Sequence, residues 1–503
     1  MTPIEAKRQE LQKTLDATKP LDERNRMGQY STPYPLAEQI CRYLKNYTGE
    51  RIESFLEPAA GTGVFYSVLS ENFKIRRSLG FEIDPHYHVP TSKLWQGHGI
   101  ELKNMDFLTA EPTEKFSLIV SNPPYSRHHH ISPERKAELA AKIKKSYGIT
   151  VSGLSGLHAY FMILSSQWLK EGGYSCWLVP SEFLYVNYGR ALKRFLLDKM
   201  DLISIHSFQV ESVQFEDALV SSSVVLFRNS TNPSASVKFS WGEDINHPSK
   251  EINIAKTQLD PEKKWNEQLL TGFHTSRKDM TIGDFFRIKR GVATGDNKFF
   301  IIDRQIVSKY NIPDKLLTPV IPPPRKLKTD IYTSDNSTQD SLYLITCDSP
   351  IDYVKTRYEG FYRYLEYGME TGVNLRSNCK NRNPWYGCEV RDIPPILVSY
   401  MGRNNNRMLP IRFILNKAGA TATNSYLMLY PRKEFKHLFA NTETAECVWK
   451  ILSAISKDTL LAHGRCYGGG LLKWEPRELE SVPCPELGEI LKPLSPSLFD
   501  SFA

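Results

Sequence analysis

An amide, two prolines and a phenol close the apolar run "FSLIVSNPPYSR": Asn122, Pro123, Pro124 and Tyr125 follow directly on Ser121. Adjacent prolines ordinarily mark a surface turn, yet here they end a stretch that reads as a buried strand. Proline fixes φ at about −65° and donates no N–H, so a carbonyl beside it is held out of a regular ladder. Asparagine adds a neutral acceptor able to orient an amino group. Three earlier strand ends also carry polar groups. "FLEPAAGTGVF" sets Glu57 before a small-residue turn with Ala59, Gly61 and Gly63, where a backbone can approach a ligand closely. "GFEID" ends in Glu82, Ile83 and Asp84, and a carboxylate at a second strand end suits two adjacent ribose hydroxyls. "NMDFL" offers Asp106 as acceptor for an adenine amino group, with Phe107 beside the ring. Each signal alone is weak, since tight turns often carry glycines and strand ends often carry solvated acids. Four in succession are specific. The chemistry they outline is the holding of a nucleoside next to an amide.

These residues need a sheet to position them. "RIESFLEP", "RSLGFEID", "FSLIVSNPP" and "YSCWLVPSEFL" read as buried strands separated by helical pieces such as "GVFYSVLSENFK". That alternation predicts a mostly parallel sheet covered on both faces. "LISIHSFQV", "SSSVVLFRN" and "SVKFSWG" predict antiparallel strands at one edge. Beyond them the chain turns irregular and rich in Pro, Arg, Asn and aromatic residues. A domain change is expected between residues 245 and 280, dividing the chain into 1–260 and 261–503. With 503 residues, 41% hydrophobic, the chain can bury a large core, and a net charge of +8 suits a polyanionic partner without requiring one. No apolar run reaches the ~18 residues that span a membrane. The charged start "MTPIEAKRQELQKTLD" does not read as a secretory signal, and eight scattered cysteines argue against a zinc site or disulfide framework. A reducing cytoplasm is the expected location.

"EPAAGTGVF", "GFEID", "MDFL" and "SNPPY", in this order, resemble the motifs of S-adenosylmethionine-dependent amino-methyltransferases, especially N6-adenine DNA methyltransferases. "RMGQYSTPYPLAEQI" (26–40) resembles the additional cofactor motif of their γ class, TaqI-like in order. "RIKRGVATGDNKFFII" (287–302) and "RCYGGGLLKWEPRELESVPCP" (465–485) resemble target-recognition segments of that group, which serves type II restriction–modification systems. The resemblance implies an α/β chain: a Rossmann-like class I methyltransferase sheet, mostly parallel with an antiparallel edge hairpin, plus a C-terminal mixed target-recognition domain. It implies S-adenosyl-L-methionine held by Tyr30, Thr32, Glu57, Ala59, Gly61, Gly63, Glu82, Ile83, Asp106, Phe107 and Asn122, and no metal. It implies catalysis by Asn122, Pro123, Pro124 and Tyr125, double-stranded DNA as partner, and a cognate restriction endonuclease as functional partner.

An exocyclic amino nitrogen has a delocalised lone pair and no easily removed proton. Two acceptors gripping its N–H bonds, the Asn122 side-chain carbonyl and the Pro123 backbone carbonyl, let it pyramidalise as a methyl arrives. A base inside a duplex reaches such a clamp only when flipped out. Tyr125 would stack on it, with Phe215 on the opposite face. The same clamp could serve N5-glutamine methylation of a protein such as a release factor, or an RNA or N4-cytosine amine; an inactive DNA-binding subunit is a further alternative. In the second half, Arg376, Arg382, Arg403 and Arg407 lie in loops where arginine reads base edges or holds phosphates, and the glycines of "RGVATGDNKFF" could let backbone approach nucleic acid. "HHHI" (128–131) reads as a loop beside the site, with Arg127 near phosphate, rather than a metal centre. The next helix, capped by Ser132 with Pro133 at its first position, should present its lysines to solvent.

Overall fold

The structure is a computed structural model that describes residues 2–126, 128–208, 221–266, 270, 280–333, 341–403, 411–467 and 471–494. The chain divides into two compact units, residues 1–273 with 466–470, and residues 274–465 with 471–503.

The first unit is built on nine strands: β1 (Arg51–Glu57), β2 (Lys74–Phe81), β3 (Ile100–Lys103), β4 (Phe116–Ser121), β5 (Leu169–Pro180), β6 (Asp201–Phe208), β7 (Ser222–Arg228), β8 (Ser236–Gly242) and β9 (Lys250–Ala255). Their order is β3-β2-β1-β4-β5-β7-β6-β8-β9. β3 to β5 run parallel, as the strand–helix alternation predicts. The other side differs in detail from a plain antiparallel edge. β7 inserts antiparallel between β5 and β6, so β8 meets β6 parallel, and β9 then closes the sheet antiparallel to β8. Strand residues alternate between two cores. Ile119, Trp177 and Val179 face one, whereas Leu118, Val120, Cys176 and Leu178 face the other. The helices are α1 (Pro3–Thr18), α2 (Leu21–Met27), α3 (Tyr34–Thr48), α4 (Val64–Asn72), α5 (Pro85–Leu94), α6 (Pro133–Tyr147), α7 (Leu157–Ser165) and α8 (Arg190–Asp198). Residues of α3 and α4 fill the second core, those of α6, α7 and α8 the first. Local sequence sets the helix starts. Asp84 and Ser132 cap α5 and α6, each followed by proline at the first helical position, and Gly148 ends α6 in the left-handed region.

The second unit holds a five-stranded sheet in the order Phe286–Arg290, Tyr426–Pro431, Ile396–Ser399, Phe413–Asn416, Ile331–Tyr332, antiparallel except for its last pair. A separate antiparallel sheet joins Ile301–Asp303, Leu342–Ile345 and Leu317–Val320. Two expectations about its loops change. Gly291 is pressed on the Thr423 carbonyl, 2.0 Å from where a Cβ would stand, so close packing explains that glycine. Arg382 donates to the carbonyls of Thr294 (2.8 Å) and Ala293 (2.6 Å), and Arg376 pairs with Asp296 at 2.9 Å. Arg382 thus has a local structural task; Arg407 lies outside the described residues. Among the described residues, no helix is long and apolar enough to cross a membrane.

Candidate active site

The carboxyl ends of β1, β2 and β4 open on a cavity of about 540 Å³. Tyr30, Thr32, Glu57, Ala59, Gly61, Glu82, Ile83, Asp106, Phe107, Asn122, Pro123 and Pro124 all line it. Residues far apart in sequence meet because parallel strands deliver their ends to one side of a sheet. Gly63 and Tyr125 stand behind the wall, and Phe215 lies outside the described residues, as does Arg127.

Asn122 is the most informative side chain. Its Nδ2 donates to the Tyr30 carbonyl (2.9 Å) and to Thr32 Oγ1 (3.0 Å). A carbonyl can only accept, so this pairing fixes which end of the amide is nitrogen. Among the described residues, Oδ1 is left buried without a partner. A buried acceptor without a donor is costly, and such groups recur where a site has a catalytic role or takes up a donor from outside the chain. The strip that holds the amide packs directly on the motif: the Tyr125 N–H donates to the Gly28 carbonyl at 2.9 Å. Gly28 has φ +72°, and a Cβ there would sit 2.2 Å from the Ser126 nitrogen, so only glycine fits. The Tyr125 ring is drawn into the core by its hydroxyl, which donates to the Leu178 carbonyl at 3.1 Å, and burial pushes its pKa well above the usual phenol range. It faces Tyr30 at 5.7 Å between ring centroids. As placed, it offers the cavity no open stacking face, which departs from the simplest expectation.

The glycine turn is held from both sides. Glu82 Oε2 accepts the Gly61 N–H (2.9 Å) and Oε1 the Asp84 N–H (2.8 Å); burial raises its carboxyl to about 6 against these two favourable bonds. Glu57 is 1% exposed, and burial pushes its carboxyl well above the usual range, opposed by the Tyr66 and Phe65 N–H groups. Among the described residues, its Oε2 has no partner. Gly63 (φ +81°) lets the turn lie against Trp95, where a Cβ would come within 2.8 Å of the indole nitrogen. That nitrogen donates to the Thr62 carbonyl at 2.9 Å. Ile83 is 54% exposed although apolar, and Phe107 stacks on Phe161 at 5.8 Å. Together these form an apolar stretch of the cavity wall.

Two contributors escaped the sequence reading. Helix α1 reads as merely charged, yet Glu5 and Arg8 are fully buried in it. Arg8 binds Glu5 through Nε and Nη2, both at 2.7 Å, and Thr62 Oγ1 through Nη1 at 2.9 Å; Thr62 in turn donates to Gln12 Oε1 at 2.5 Å. In α6, Lys144 and Lys145 face solvent as the sequence predicts, but Lys142 and Arg135 reach the turn carrying Asp106. A Glu-x-x-Arg spacing followed by Gln four residues on is the only sequence signal for the first, and it is common in solvated helices. The histidine run forms one 3₁₀ turn, His128–His130, with His130 on the cavity wall; among the described residues, no cluster of His, Cys, Asp and Glu could hold a metal ion.

A parallel sheet with one reversed strand inserted beside its fifth, and strand ends that converge on a nucleoside-sized cavity, define a class I S-adenosylmethionine-dependent methyltransferase fold. Residues 72–214 match the family described as "Eco57I restriction-modification methylase", and residues 261–501 match "Type II methyltransferase M.Eco57I, C-terminal domain". The chain belongs to this Eco57I-like family of type II restriction–modification DNA methyltransferases. It is 25% identical to the type II methyltransferase M.AccI of Acinetobacter calcoaceticus over 96% of its own length and 89% of the relative's. It is 26% identical to M.XamI of Xanthomonas campestris pv. amaranthicola over 92% and 86%. Among solved structures it resembles the type IIL restriction–modification enzyme MmeI, determined in complex with DNA, with a TM-score of 0.61 over 94% of this chain and 70% of that one, at 12% identity.

Proposed function

We propose that the chain transfers a methyl group from S-adenosylmethionine to N6 of an adenine flipped out of duplex DNA, and so protects host DNA from a cognate restriction endonuclease. The observation that carries this reading is the Asn122 amide, tied by its nitrogen and, among the described residues, unpaired at its buried oxygen. The residues present fit the cofactor: an orphaned Glu57 oxygen, a glycine turn too close-packed for a Cβ at Gly63, a carboxylate at Glu82 and an apolar stretch of wall at Ile83 and Phe107. In this reading Tyr30, Thr32, Glu57 and the 59–63 turn take the amino-acid end, Glu82 the ribose hydroxyls, and Asp106 with Ile83 and Phe107 the purine. S-adenosylmethionine supplies an electrophilic methyl carbon on a sulfonium.

The chain's own task is to make the amino nitrogen a nucleophile. Asn122 Oδ1 accepts one N–H and the Pro123 carbonyl the other, which turns the nitrogen lone pair out of the ring's π-system. Both dipoles are in place before reaction and favour the positive charge that develops on nitrogen as the N–C bond forms and the C–S bond breaks. Neither amide is basic, so the surplus proton leaves to solvent. Phe215 would border the target ring, while Tyr125, buried behind the wall, would back the clamp. Residues 1–260 would carry catalysis and 261–503 the reading of DNA sequence. Relatives named type II methyltransferases support the DNA substrate, and Asn rather than Ser at position 122 favours adenine over cytosine. The test is incubation with labelled S-adenosylmethionine and duplex DNA followed by nucleoside mass spectrometry. N6-methyladenine is the expected product; N4-methylcytosine, or label only on protein or RNA, overturns the reading.

A further inference from the structure

The turn that carries Asp106 is gripped by α6, the helix that follows the Asn-Pro-Pro-Tyr motif. Arg135 Nη2 donates to Asp106 Oδ2 at 2.5 Å, while Oδ1 accepts the Leu108 N–H at 2.9 Å. Two turns along the helix, Lys142 Nζ donates to the Leu108 carbonyl at 3.3 Å. Glu138 holds the other arm of the guanidinium, accepting from Arg135 Nη1 at 2.7 Å. Arg135 and Asp106 are about equally shielded, 23% and 29% exposed, and both line the cavity beside Ile83 and Phe107.

We infer that Arg135 is a positioning and specificity residue for the purine end of the cavity: it fixes the Asp106 carboxylate so that its remaining lone pairs accept a 6-amino group and reject a 6-oxo group. The inference rests on the proposed role of Asp106 toward the cofactor. A carboxylate has about four acceptor sites. The Leu108 N–H and Arg135 occupy one on each oxygen, which stops rotation of the group and leaves acceptors only. An amino-purine supplies a donor there. An oxo-purine sets a lone pair against the carboxylate, and a half-buried acceptor facing an acceptor loses its hydration without return. Without the guanidinium, the Asp106 carboxylate can turn and hydrate, and the discrimination fades. Lysine keeps the charge but lacks the planar fork that bridges Asp106 and Glu138, so it should restore the function only in part.

The experiment is titration calorimetry on the full-length protein with S-adenosylhomocysteine and its 6-oxo counterpart, S-inosylhomocysteine. The unaltered chain should prefer the amino ligand by about tenfold or more, the worth of one charged hydrogen bond. Arg135→Met should lower that preference to below about threefold, chiefly by weakening the amino ligand. Arg135→Lys should fall between. Equal loss of both ligands in Arg135→Met, or an unchanged preference, overturns the inference. Asp106→Asn separates the two layers of the argument. If it erases the preference while Arg135→Met keeps it, Asp106 reads the purine without Arg135. If Asp106→Asn keeps the preference, the role given to Asp106 is itself wrong.

Discussion

In the proposed function Asn122 joins two tasks in one amide, and its variants should separate them. Asn122→Ala removes the buried acceptor and should cut methyl transfer by about a hundredfold or more. It also releases Tyr30 and Thr32, so cofactor affinity should fall by about tenfold at most, as two neutral hydrogen bonds are lost. Single-turnover kinetics beside calorimetry measure both; an equal drop in each would assign the residue to cofactor binding alone. Glu82 makes a prediction about pH. Burial raises its folded pKa to about 6, so above that pH its charged form costs stability, and the cost is relieved as pH falls toward the usual carboxylate range. In its proposed role, the grip of Glu82 on ribose hydroxyls needs the charged form. Cofactor affinity should therefore weaken by about tenfold per pH unit below that midpoint, opposite in sign to the stability effect. Glu82→Gln should bind weakly with a flat profile from pH 8 to 5, and an unchanged slope in that variant would place the titration elsewhere. Both residues were legible in the sequence because strand-end position and residue type suffice to nominate them. The burial that tunes Glu82 was not, since it depends on what packs above the strand.

At the scale of elements, α1 shows where sequence reading stops. Its first and second turns carry an ion pair that reads as a solvated salt bridge, whereas in the fold both partners are buried against the Thr62 turn. Arg8→Met leaves the Glu5 carboxylate buried without its cation and should cost about 3–5 kcal/mol. The double change Glu5→Gln with Arg8→Met should recover most of that. Chemical denaturation of the two variants beside the unaltered protein decides it, and a double variant as unstable as the single one would mean that packing, rather than charge, is what α1 contributes. The parallel sheet was readable because each strand is a short apolar run bounded by a turn signal. The insertion of β7 between β5 and β6 was not, because the pattern of a strand does not state its neighbour.

For the whole molecule, a cut near residue 245 would remove β9, which pairs along β8, and Trp265, whose backbone N–H donates to the Leu184 carbonyl at 2.9 Å. A fragment of residues 1–273 keeps both and should still bind S-adenosylmethionine. It should lose discrimination between DNA sequences, and its residual DNA affinity should fall steeply and uniformly with salt, as phosphate contacts do. Filter binding on cognate and scrambled duplexes tests this; site-specific methylation by the fragment would move recognition into the first unit. Arg382→Ala is a poor probe of base reading, because its guanidinium secures the 293–294 turn. Arg376, half exposed and paired with Asp296 at 2.9 Å, is the better choice.

Trp95 gives this protein an internal optical reporter. Its indole is 2% exposed, lies edge-on to Tyr66 at 5.1 Å, and has its N–H committed to the carbonyl of Thr62, in the middle of the glycine turn. Any ligand that tightens that turn shortens or bends this bond, and the emission of a buried indole responds to the dipole it faces. Titration of S-adenosylmethionine should therefore shift tryptophan fluorescence without a label, and Trp95→Phe should silence the shift while leaving the other seven tryptophans of the chain as background.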